Sequence, residues 1–449
     1  MVGKSHLRPG FPAEPSLHRV GMRPVDASEV RFEAVPYDWE FFRSWDGPWY
    51  GFEFARLSTG HVYSPAAYSM HYAAWLDDQG IPPRPPYFMT REDARSEFGV
   101  PTSPSAARPE DMQRIEPVAP TTWALPERYH SSTWVADETI AFLEGHVAGS
   151  DERPFFLSVN FPDPHPPFAV PEPWDRMYES VELPAPVRRM GEWEQEGKPE
   201  FYRATLERRV EQAGWHTRFK SIGPLGLLTA TSERMPVEDR WWRTYLGMQS
   251  LVDRHLGRIL EAVDRLGLAG DTLVIATSDH GELMGDHFLW HKGGLHYDGG
   301  ARVPLIVRWP GRVPAGTRSG SLQSLVDLAP TIMSAAGIEP DPAMQGVDQL
   351  PAWEDPATTR RDGLLIEHPI ESGLRSHSWI TERHRLSIYS DLAHNRTEFE
   401  LYDLQEDPGE FDSLSLDAGS QRLLNELTGE AFRHLVQLQL PWAERISRA

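Results

Sequence analysis

The residues best suited to chemistry stand together on one glycine-rich stretch of the sequence. Asp279 and His280 are adjacent and follow a short apolar run at 272–276, and Lys292 lies further along the same stretch. A carboxylate beside an imidazole can hold a divalent cation, and oxygen-rich sites favour Ca²⁺, Mg²⁺ or Mn²⁺. Alternatively, Asp279 caps a turn and His280 is a buried structural histidine. The residue types alone leave both interpretations open.

Three further side chains could act on an anionic group. Lys4 and His6 are one residue apart near the start of the sequence, and His165 lies between two prolines after the apolar run at 154–159. Lysine can neutralise an oxyanion, and histidine can transfer a proton near neutral pH. Each residue also has a structural interpretation: a solvated lysine for Lys4 and Lys292, a core histidine for His6 and an extended-loop residue for His165.

The elements that would position these residues alternate between helix and strand. Apolar residues recur at helical spacing over 241–266, Gly267 offers a C-cap, and the run at 272–276 follows after a short connection. This order predicts an α/β fold with a mostly parallel central sheet. Ligands of such sheets bind beyond the carboxyl ends of the strands, where Asp279 and His280 fall. The same criteria predict helices at 132–144 and 325–336 and strands at 154–159 and 302–309.

The pattern changes beyond the proline- and acid-rich stretch at 351–356. Alternating apolar and polar residues predict strands of an antiparallel sheet at 374–381, 384–390 and 399–402. Ser420 precedes a helical pattern whose apolar face, formed by Leu423, Leu424, Leu427, Ala431 and Leu435, would pack on that sheet. We therefore expect a catalytic domain at 1–355 and a small C-terminal antiparallel α+β subdomain at 356–449.

The composition restricts the classes of partner. The 449 residues carry a net charge of -22 and no cysteine. Nucleic acids and anionic membranes need a basic face, so neither is an expected partner, and an anionic small molecule would need a locally positive pocket. Disulfides, thiolate metal sites and a cysteine nucleophile are excluded. No apolar run approaches the roughly 18 residues of a spanning helix, so the chain as written is predicted to be cytoplasmic. The sequence does not indicate the oligomeric state.

Several separate segments, taken in order, carry a family resemblance. They are GKSHL at 3–7, PHPPF at 164–168, DHG at 279–281, the lysine at 292, YDGGARVPL at 297–305 and ELYDL at 400–404. Together they resemble the sulfatase family of the alkaline phosphatase superfamily. The resemblance implies an alkaline phosphatase-like sandwich and hydrolysis of a small-molecule sulfate ester.

The resemblance also implies a role for each candidate residue. Asp279 and His280 would be two ligands of a divalent metal, with Ca²⁺ expected first and Mn²⁺ or Mg²⁺ as alternatives. Lys4 and Lys292 would bind sulfate oxygens. His165 would be the general acid for the leaving alcohol, and His6 would help to regenerate the aldehyde of a formylglycine nucleophile. We expect the six side chains to converge around one cavity.

One part of the family pattern lies outside the sequence. Sulfatases carry formylglycine in a Cys/Ser-x-Pro-x-Arg element upstream of the lysine, preceded by paired aspartates, whereas three residues precede Lys4 here. Formylglycine is thus not present in this chain, and the similar segments at 77–78 and 102–108 lie on the wrong side of Lys4. We expect Met1 to be an internal methionine of a longer reading frame, with a signal peptide possible upstream, and little turnover by residues 1–449 alone.

Two alternatives to a sulfatase remain. Asparagine is frequent in the family where this sequence has His280, and a histidine ligand is compatible with relatives that hydrolyse phosphonate monoesters or phosphodiesters. A non-catalytic remnant of the sulfatase fold is the other alternative. The sequence does not indicate which alcohol would carry the sulfate.

Overall fold

A computed structural model describes residues 1–4, 42–49, 51–58, 70–81, 121–123, 126–150, 152–166, 168–206, 236–369, 374–391 and 395–446. The chain forms two compact units. Unit 1 comprises Met1–Leu183 and Pro236–Leu268, and unit 2 comprises Pro184–Met235 and Ala269–Ala449.

The described helices and strands are numbered in chain order. They are β1 Val2–Lys4, β2 Arg56–Ser58, α1 Met70–Asp78, β3 Thr121–Thr122, α2 Ser131–Ala148, β4 Val159–Asn160, β5 Ala169–Val170, α3 Glu200–Leu206, α4 Pro236–Arg265, β6 Val274–Thr277, α5 Asp298–Ala301, β7 Leu305–Arg308, α6 Leu328–Ala335, α7 Leu350–Glu354, β8 Gly363–Pro369, β9 Leu374–Thr381, β10 His384–Asp391, β11 Arg396–Asp403 and α8 Gln421–Ile446.

Unit 1 contains a small parallel sheet with strand order β2-β1-β4. Val2 of β1 lies opposite Arg56 on one side and Val159 on the other. Buried residues of β1, α1, α2 and β5 form the adjoining core: Val2, Tyr72, Ala73, Leu76, Trp134, Val135 and Ala169. Because parallel neighbours end at the same edge of a sheet, the chain leaves β1 at Lys4 and β4 at Asn160 on the same side.

The predicted elements of unit 1 are borne out in part. The helices predicted at 132–144 and 241–266 are confirmed as α2 and α4, each with a few more residues. The strand predicted at 154–159 is wrong in extent, because only Val159–Asn160 pairs with the short β1. Phe156, within the same apolar run, is 60% exposed. Asp77 and Asp78 end helix α1 and pair with Arg43.

Near the start of its second segment, which begins at Ala269, unit 2 has a pair of strands beside the candidate site. The strands predicted at 272–276 and 302–309 appear as β6 and β7, and they pair antiparallel with Ala276 opposite Ile306. The helix predicted at 325–336 is present as a 3₁₀ turn, Leu325–Asp327, followed by α6. The parallel pairs described belong to unit 1, so the mostly parallel central sheet stays a prediction.

The predicted C-terminal antiparallel sheet is confirmed and has strand order β11-β10-β9-β8. Strand β8 was not predicted, because its sequence does not alternate. Helix α8 places Leu424, Leu427 and Ala431 in one buried cluster with Leu386 and Leu401 of the sheet. A fully buried leucine contributes about 1.5–3 kcal/mol, so this face secures the helix. The boundary between residues 355 and 356 remains a prediction.

None of the described helices combines the length and the apolar character needed to cross a bilayer.

Helix α4 offers a matched pair of glycines that tests its packing. A β-carbon at Gly247 would lie 2.4 Å from the Trp174 carbonyl oxygen, whereas one at Gly257 would meet nothing within 4 Å. We expect Gly247→Ala to lower the free energy of unfolding by about 1–3 kcal/mol through overpacking. Gly257→Ala should instead raise it by up to about 1 kcal/mol through helix propensity. Urea unfolding measures the free energy of unfolding of both variants. Equal changes in the two variants would contradict the close contact at Gly247.

A buried histidine in unit 1, His71, is expected to make the folded protein less stable at acidic pH. His71 accepts a hydrogen bond from the Leu57 amide at 3.0 Å and lies 2.6 Å from the Trp45 carbonyl oxygen, so its neutral form satisfies both partners. Burial lowers the pKa of His71 to about 3. The unfolded chain takes up this proton at about pH 6.5, so stability is full above that pH and falls by up to about 1.4 kcal/mol per pH unit down to about pH 3.

The variant His71→Gln keeps a donor and an acceptor but does not titrate. We expect it to be less stable at pH 7 and to lose less further stability between pH 7 and pH 5 than the unchanged protein. Urea unfolding at several pH values measures how the free energy of unfolding changes with pH in each protein. Identical changes would exclude His71 as the source of the acid sensitivity.

Candidate active site

The end of strand β6 carries the candidate metal ligands. Asp279 Oδ1 accepts hydrogen bonds from the His280 amide at 3.1 Å and from Ser278 Oγ at 3.4 Å. The other carboxylate oxygen, Oδ2, lies 3.5 Å from His280 Nε2. The Asp279 side chain is 76% exposed, so its carboxylate can reach a ligand from solvent. The local turn therefore fixes two adjacent side chains with their heteroatoms facing each other.

The backbone beyond His280 is held by a turn of two glycines. The Gly281 amide donates a hydrogen bond to the Gly300 carbonyl oxygen at 2.9 Å. A β-carbon on Gly281 would lie 2.2 Å from the Gly299 carbonyl oxygen, so a larger residue would push the two segments apart. His280 Nδ1 in turn lies 2.8 Å from the Gly281 carbonyl oxygen. The glycine contact thus sets the orientation of the imidazole ring.

The pair of side chains has the spacing of two ligands on one cation. A carbonyl oxygen only accepts hydrogen bonds, so His280 Nδ1 carries a proton and Nε2 is the nitrogen that faces Asp279. The separation of 3.5 Å is less than the sum of two ordinary metal–ligand distances of about 2.0–2.5 Å. The residues present therefore fit two ligands of a divalent metal. Across the described residues, no group of three or more such side chains gathers around one point.

Lys292 belongs to the same electrostatic neighbourhood. Burial lowers the pKa of the Lys292 ammonium, and the charges of Glu282 and Asp279 oppose that shift. The Glu282 side chain is 6% exposed, and its Oε2 lies 3.7 Å from His291 Nδ1. Its other oxygen has no hydrogen-bond partner among the residues described. A half-buried ammonium near two carboxylates is suited to contact an anion that binds beside a metal.

Lys4 and the segment that carries His165 are close in unit 1. Lys4 is the last residue of β1, and β4 ends at Asn160 on the same edge of the sheet before the chain continues to His165. His165 Nδ1 lies 2.5 Å from the Pro166 carbonyl oxygen, so this nitrogen is a donor.

A buried acidic residue, Asp163, lies two positions before His165 and interacts electrostatically with Lys4. The Asp163 side chain accepts a hydrogen bond from Ser132 and lies 3.5 Å from His130 Nδ1. Burial raises the pKa of Asp163, while the charges of His130 and Lys4 oppose the shift. Burial likewise lowers the pKa of His130. Both groups are therefore shifted toward their neutral forms, and Lys4 lies within electrostatic range of this pair.

The structure thus groups the predicted residues within each unit. Asp279, His280 and Lys292 share one neighbourhood in unit 2, and Lys4 and His165 leave one sheet edge in unit 1. His6 and the similar segment at 102–108 lie outside the described residues. The convergence of all six residues on one cavity remains a prediction.

Two further histidines of the glycine-rich stretch have structural surroundings. His287 stacks on Tyr297 at a ring distance of 3.9 Å and lies 3.2 Å from a Glu192 oxygen. His296 lies 2.7 Å from Ser378 Oγ. Both are buried. These contacts account for the positions of both side chains.

Sequence reasoning missed Glu282 and Asp163. Both are buried carboxylates beside the candidate site residues, and burial of an acidic side chain depends on tertiary packing that a local pattern does not contain. A signal was nevertheless present, since Glu282 directly follows the DHG segment and Asp163 directly precedes the Pro-His-Pro segment.

Comparison with known families decides the assignment. The family model described as Sulfatase matches residues 50–338. The chain belongs to the sulfatase family. A second model, described as N-sulphoglucosamine sulphohydrolase, C-terminal, matches residues 285–437. Within this sulfatase-family chain, His165, Asp279, His280 and Lys292 fall inside the first match, and Lys4 and His6 precede it.

Two relatives illustrate the range of similarity. An arylsulfatase of Clostridium perfringens is 28% identical over 296 residues, covering 65% of this chain and 55% of the relative. The multifunctional alkaline phosphatase superfamily protein PehA of Trinickia caryophylli is 28% identical over 324 residues, covering 68% of this chain and 60% of the relative. The sulfatase-family chain therefore spans between half and two thirds of the length of these relatives.

A solved structure supports the fold. The phosphonate monoester hydrolase of Agrobacterium radiobacter superposes with a TM-score of 0.67 and 24% sequence identity, covering 93% of this chain and 75% of the hydrolase. The chain thus has the alkaline phosphatase-like fold of its family.

Replacing Asp279 tests the candidate metal pair. We expect Asp279→Asn to weaken binding of Ca²⁺ at least about tenfold, because the variant loses a charged ligand. Asp271→Asn is the control, since Asp271 is exposed and lies before the opposite end of β6. Calorimetric titration with Ca²⁺ measures both, and equal affinities would exclude Asp279 as a ligand.

Proposed function

We propose that the protein is a metal-dependent hydrolase of sulfuric esters. The observation that carries this proposal is the Asp279–His280 pair, which lies at the end of β6 inside the region that matches the sulfatase family. Family membership gives the reaction class, and the pair gives the position at which the reaction would occur.

Asp279 Oδ2 and His280 Nε2 are the atoms that would hold a divalent cation, with Ca²⁺ preferred and Mn²⁺ or Mg²⁺ as alternatives. When bound, such a cation stabilises negative charge on a sulfate oxygen and orients the ester. The hydrogen bond from His280 Nδ1 to Gly281 fixes the tautomer and directs Nε2 outward. The side chains are thus arranged before any ligand arrives.

The two lysines would bind the remaining sulfate oxygens. A protein with a net charge of -22 repels an anion at long range, so capture requires local positive charge. Lys292 supplies it beside Asp279, and Lys4 supplies it at the end of β1. Partial burial of Lys292 reduces competition from water and strengthens its contact with an anion.

His165 is the proposed general acid for the leaving alcohol. Its Nδ1 faces the Pro166 carbonyl oxygen, so proton transfer would use Nε2. The rigid proline-flanked loop limits the positions of the ring, which favours transfer to an oxygen at one defined place. His6, outside the described residues, keeps its proposed role near the nucleophile.

The proposed substrate is a small-molecule sulfate ester. The C. perfringens relative is an arylsulfatase, so an aryl sulfate is the first ester to test, as a ligand, because little turnover is expected from residues 1–449 alone.

A phosphonate monoester or phosphodiester hydrolase is the second candidate. The likeness to the A. radiobacter phosphonate monoester hydrolase and the presence of His280 favour it. The two substrate classes differ in one respect: a sulfate ester has three terminal oxygens, whereas a phosphonate monoester has two and a carbon substituent. A site with two lysines and a cation favours three oxygens.

Binding of inorganic sulfate in the presence of Ca²⁺ tests the proposal. We expect weak binding, with Kd about 1 mM, and stronger binding of sulfate than of methylphosphonate. Lys292→Gln should weaken sulfate binding about tenfold, because a charged hydrogen bond contributes about 1.5–3 kcal/mol. Arg318→Gln is the control, since Arg318 is an exposed cation of the same unit.

The outcomes separate the candidates. Calorimetry that shows tighter methylphosphonate binding would favour the phosphonate hydrolase. No binding of either anion would leave the non-catalytic remnant, and equal losses in Lys292→Gln and Arg318→Gln would show that bulk charge attracts sulfate.

A further inference from the structure

We propose that Arg385, on strand β10 of the C-terminal sheet, is a positioning residue for the Asp279–His280 pair and acts through Asp298 and the Gly299–Gly300 turn. The inference rests on the proposed metal site and adds a residue more than a hundred positions away from it in the sequence.

The Arg385 guanidinium is buried, with a side chain only 1% exposed, and it contacts three groups of unit 2. It donates hydrogen bonds to the His296 carbonyl oxygen and, at 3.0 Å, to Asp298 Oδ1, and it forms an ion pair with Glu410. A buried charge is costly unless it is paired, so these contacts fix both partners. The segment before helix α5 is thereby tied to the sheet.

Glu410 completes the attachment from the other side. It is buried, and its Oε2 accepts a hydrogen bond from the Asp298 amide at 3.0 Å, at the start of α5. The carboxylate of Asp298 faces Arg385 while its amide faces Glu410. Because Arg385 also pairs with Glu410, the three residues form a closed triangle around the first residue of α5. Movement of Asp298 would break two charged contacts at once.

The turn that begins at Asp298 links Arg385 to the candidate site through Gly300 and Gly281. Gly300 O accepts the hydrogen bond from the Gly281 amide, and the two glycines of the turn leave no space beside Gly281. Gly281 O lies against His280 Nδ1. Displacement of the turn would therefore move the Gly281 peptide and rotate the imidazole away from Asp279.

Arginine is required because it donates several hydrogen bonds from one rigid plane. Lysine has the charge but presents it at one point, so it would not reach the His296 carbonyl, Asp298 and Glu410 together. The exposed Arg302 also approaches Asp298, at 3.5 Å, but exposed pairs contribute about 0–1 kcal/mol. Arg302 is thus a natural internal control.

Asp298→Ala is the test variant, because the side chain is 49% exposed and its loss leaves no cavity in the core. We expect Ca²⁺ to bind about tenfold more weakly to this variant and the Gly281 amide to exchange its hydrogen faster. Asp298→Asn keeps an acceptor oxygen and should give intermediate values. Arg302→Gln should change neither quantity.

Arg385→Lys tests the arginine itself, with Arg383→Gln as its control. Arg383 lies on the hairpin just before β10 and pairs with Asp403 on the surface. Arg385→Lys should weaken Ca²⁺ binding as Asp298→Ala does, and Arg383→Gln should not. If Arg385→Lys does not fold, the Asp298 and Arg302 variants still decide the question.

Both quantities, the Ca²⁺ affinity by calorimetric titration and the exchange rate of the Gly281 amide hydrogen, are measured well below the unfolding temperature of each variant. A merely structural role for the triangle would lower that temperature and leave the Ca²⁺ affinity equal in Asp298→Ala and Arg302→Gln. That result would overturn the inference alone. Failure of the unchanged protein to bind Ca²⁺, Mn²⁺ or Mg²⁺ would overturn the proposed metal pair and this inference with it.

Discussion

The close approach of two backbone segments, Gly281 on one side and the Gly299–Gly300 turn on the other, is the constraint on which the candidate site depends. A β-carbon on Gly281 would lie 2.2 Å from a carbonyl oxygen, so the two segments have one relative position. That position fixes the orientation of the Gly281 peptide, whose carbonyl oxygen contacts His280 Nδ1. The orientation of the His280 ring in turn places Nε2 3.5 Å from Asp279 Oδ2. Two adjacent polar residues on an exposed loop would otherwise have many conformations, and binding would have to select one of them.

A buried ionic network beside this turn keeps it in register with the C-terminal sheet. The side chains of Lys198 and Glu400 are each 1% exposed and lie 3.6 Å apart. Lys198 donates hydrogen bonds to the Tyr297 and Tyr402 hydroxyls. The Tyr297 hydroxyl also donates to Glu400 at 2.6 Å. Burying both charges costs much of what their attraction returns, so the network contributes less to stability than to a unique arrangement, which we take as its role here. Tyr297 immediately precedes Asp298, so the network and Arg385 act on the same segment.

Local patterns predicted the parts of this fold whose apolar residues recur at regular spacing. Helix α4 and strands β9 to β11 follow from the spacing of their apolar residues. Strand β8 did not follow because its apolar and polar residues do not alternate. The length of β4 did not follow because β4 pairs with β1, which is distant in sequence. The candidate ligands Asp279 and His280 were found from residue type and family resemblance. Glu282, Asp163 and Arg385 were not found, because their charges matter through burial, and burial of a charged residue is decided by the whole fold.

The central claim is that Asp279 and His280 share one divalent cation. Anomalous diffraction from crystals of the protein soaked in Mn²⁺ tests this most directly, since it locates the ion without relying on turnover. The account predicts a peak about 2.0–2.5 Å from both Asp279 Oδ2 and His280 Nε2. A peak elsewhere, or no peak while both side chains are well ordered, would contradict it.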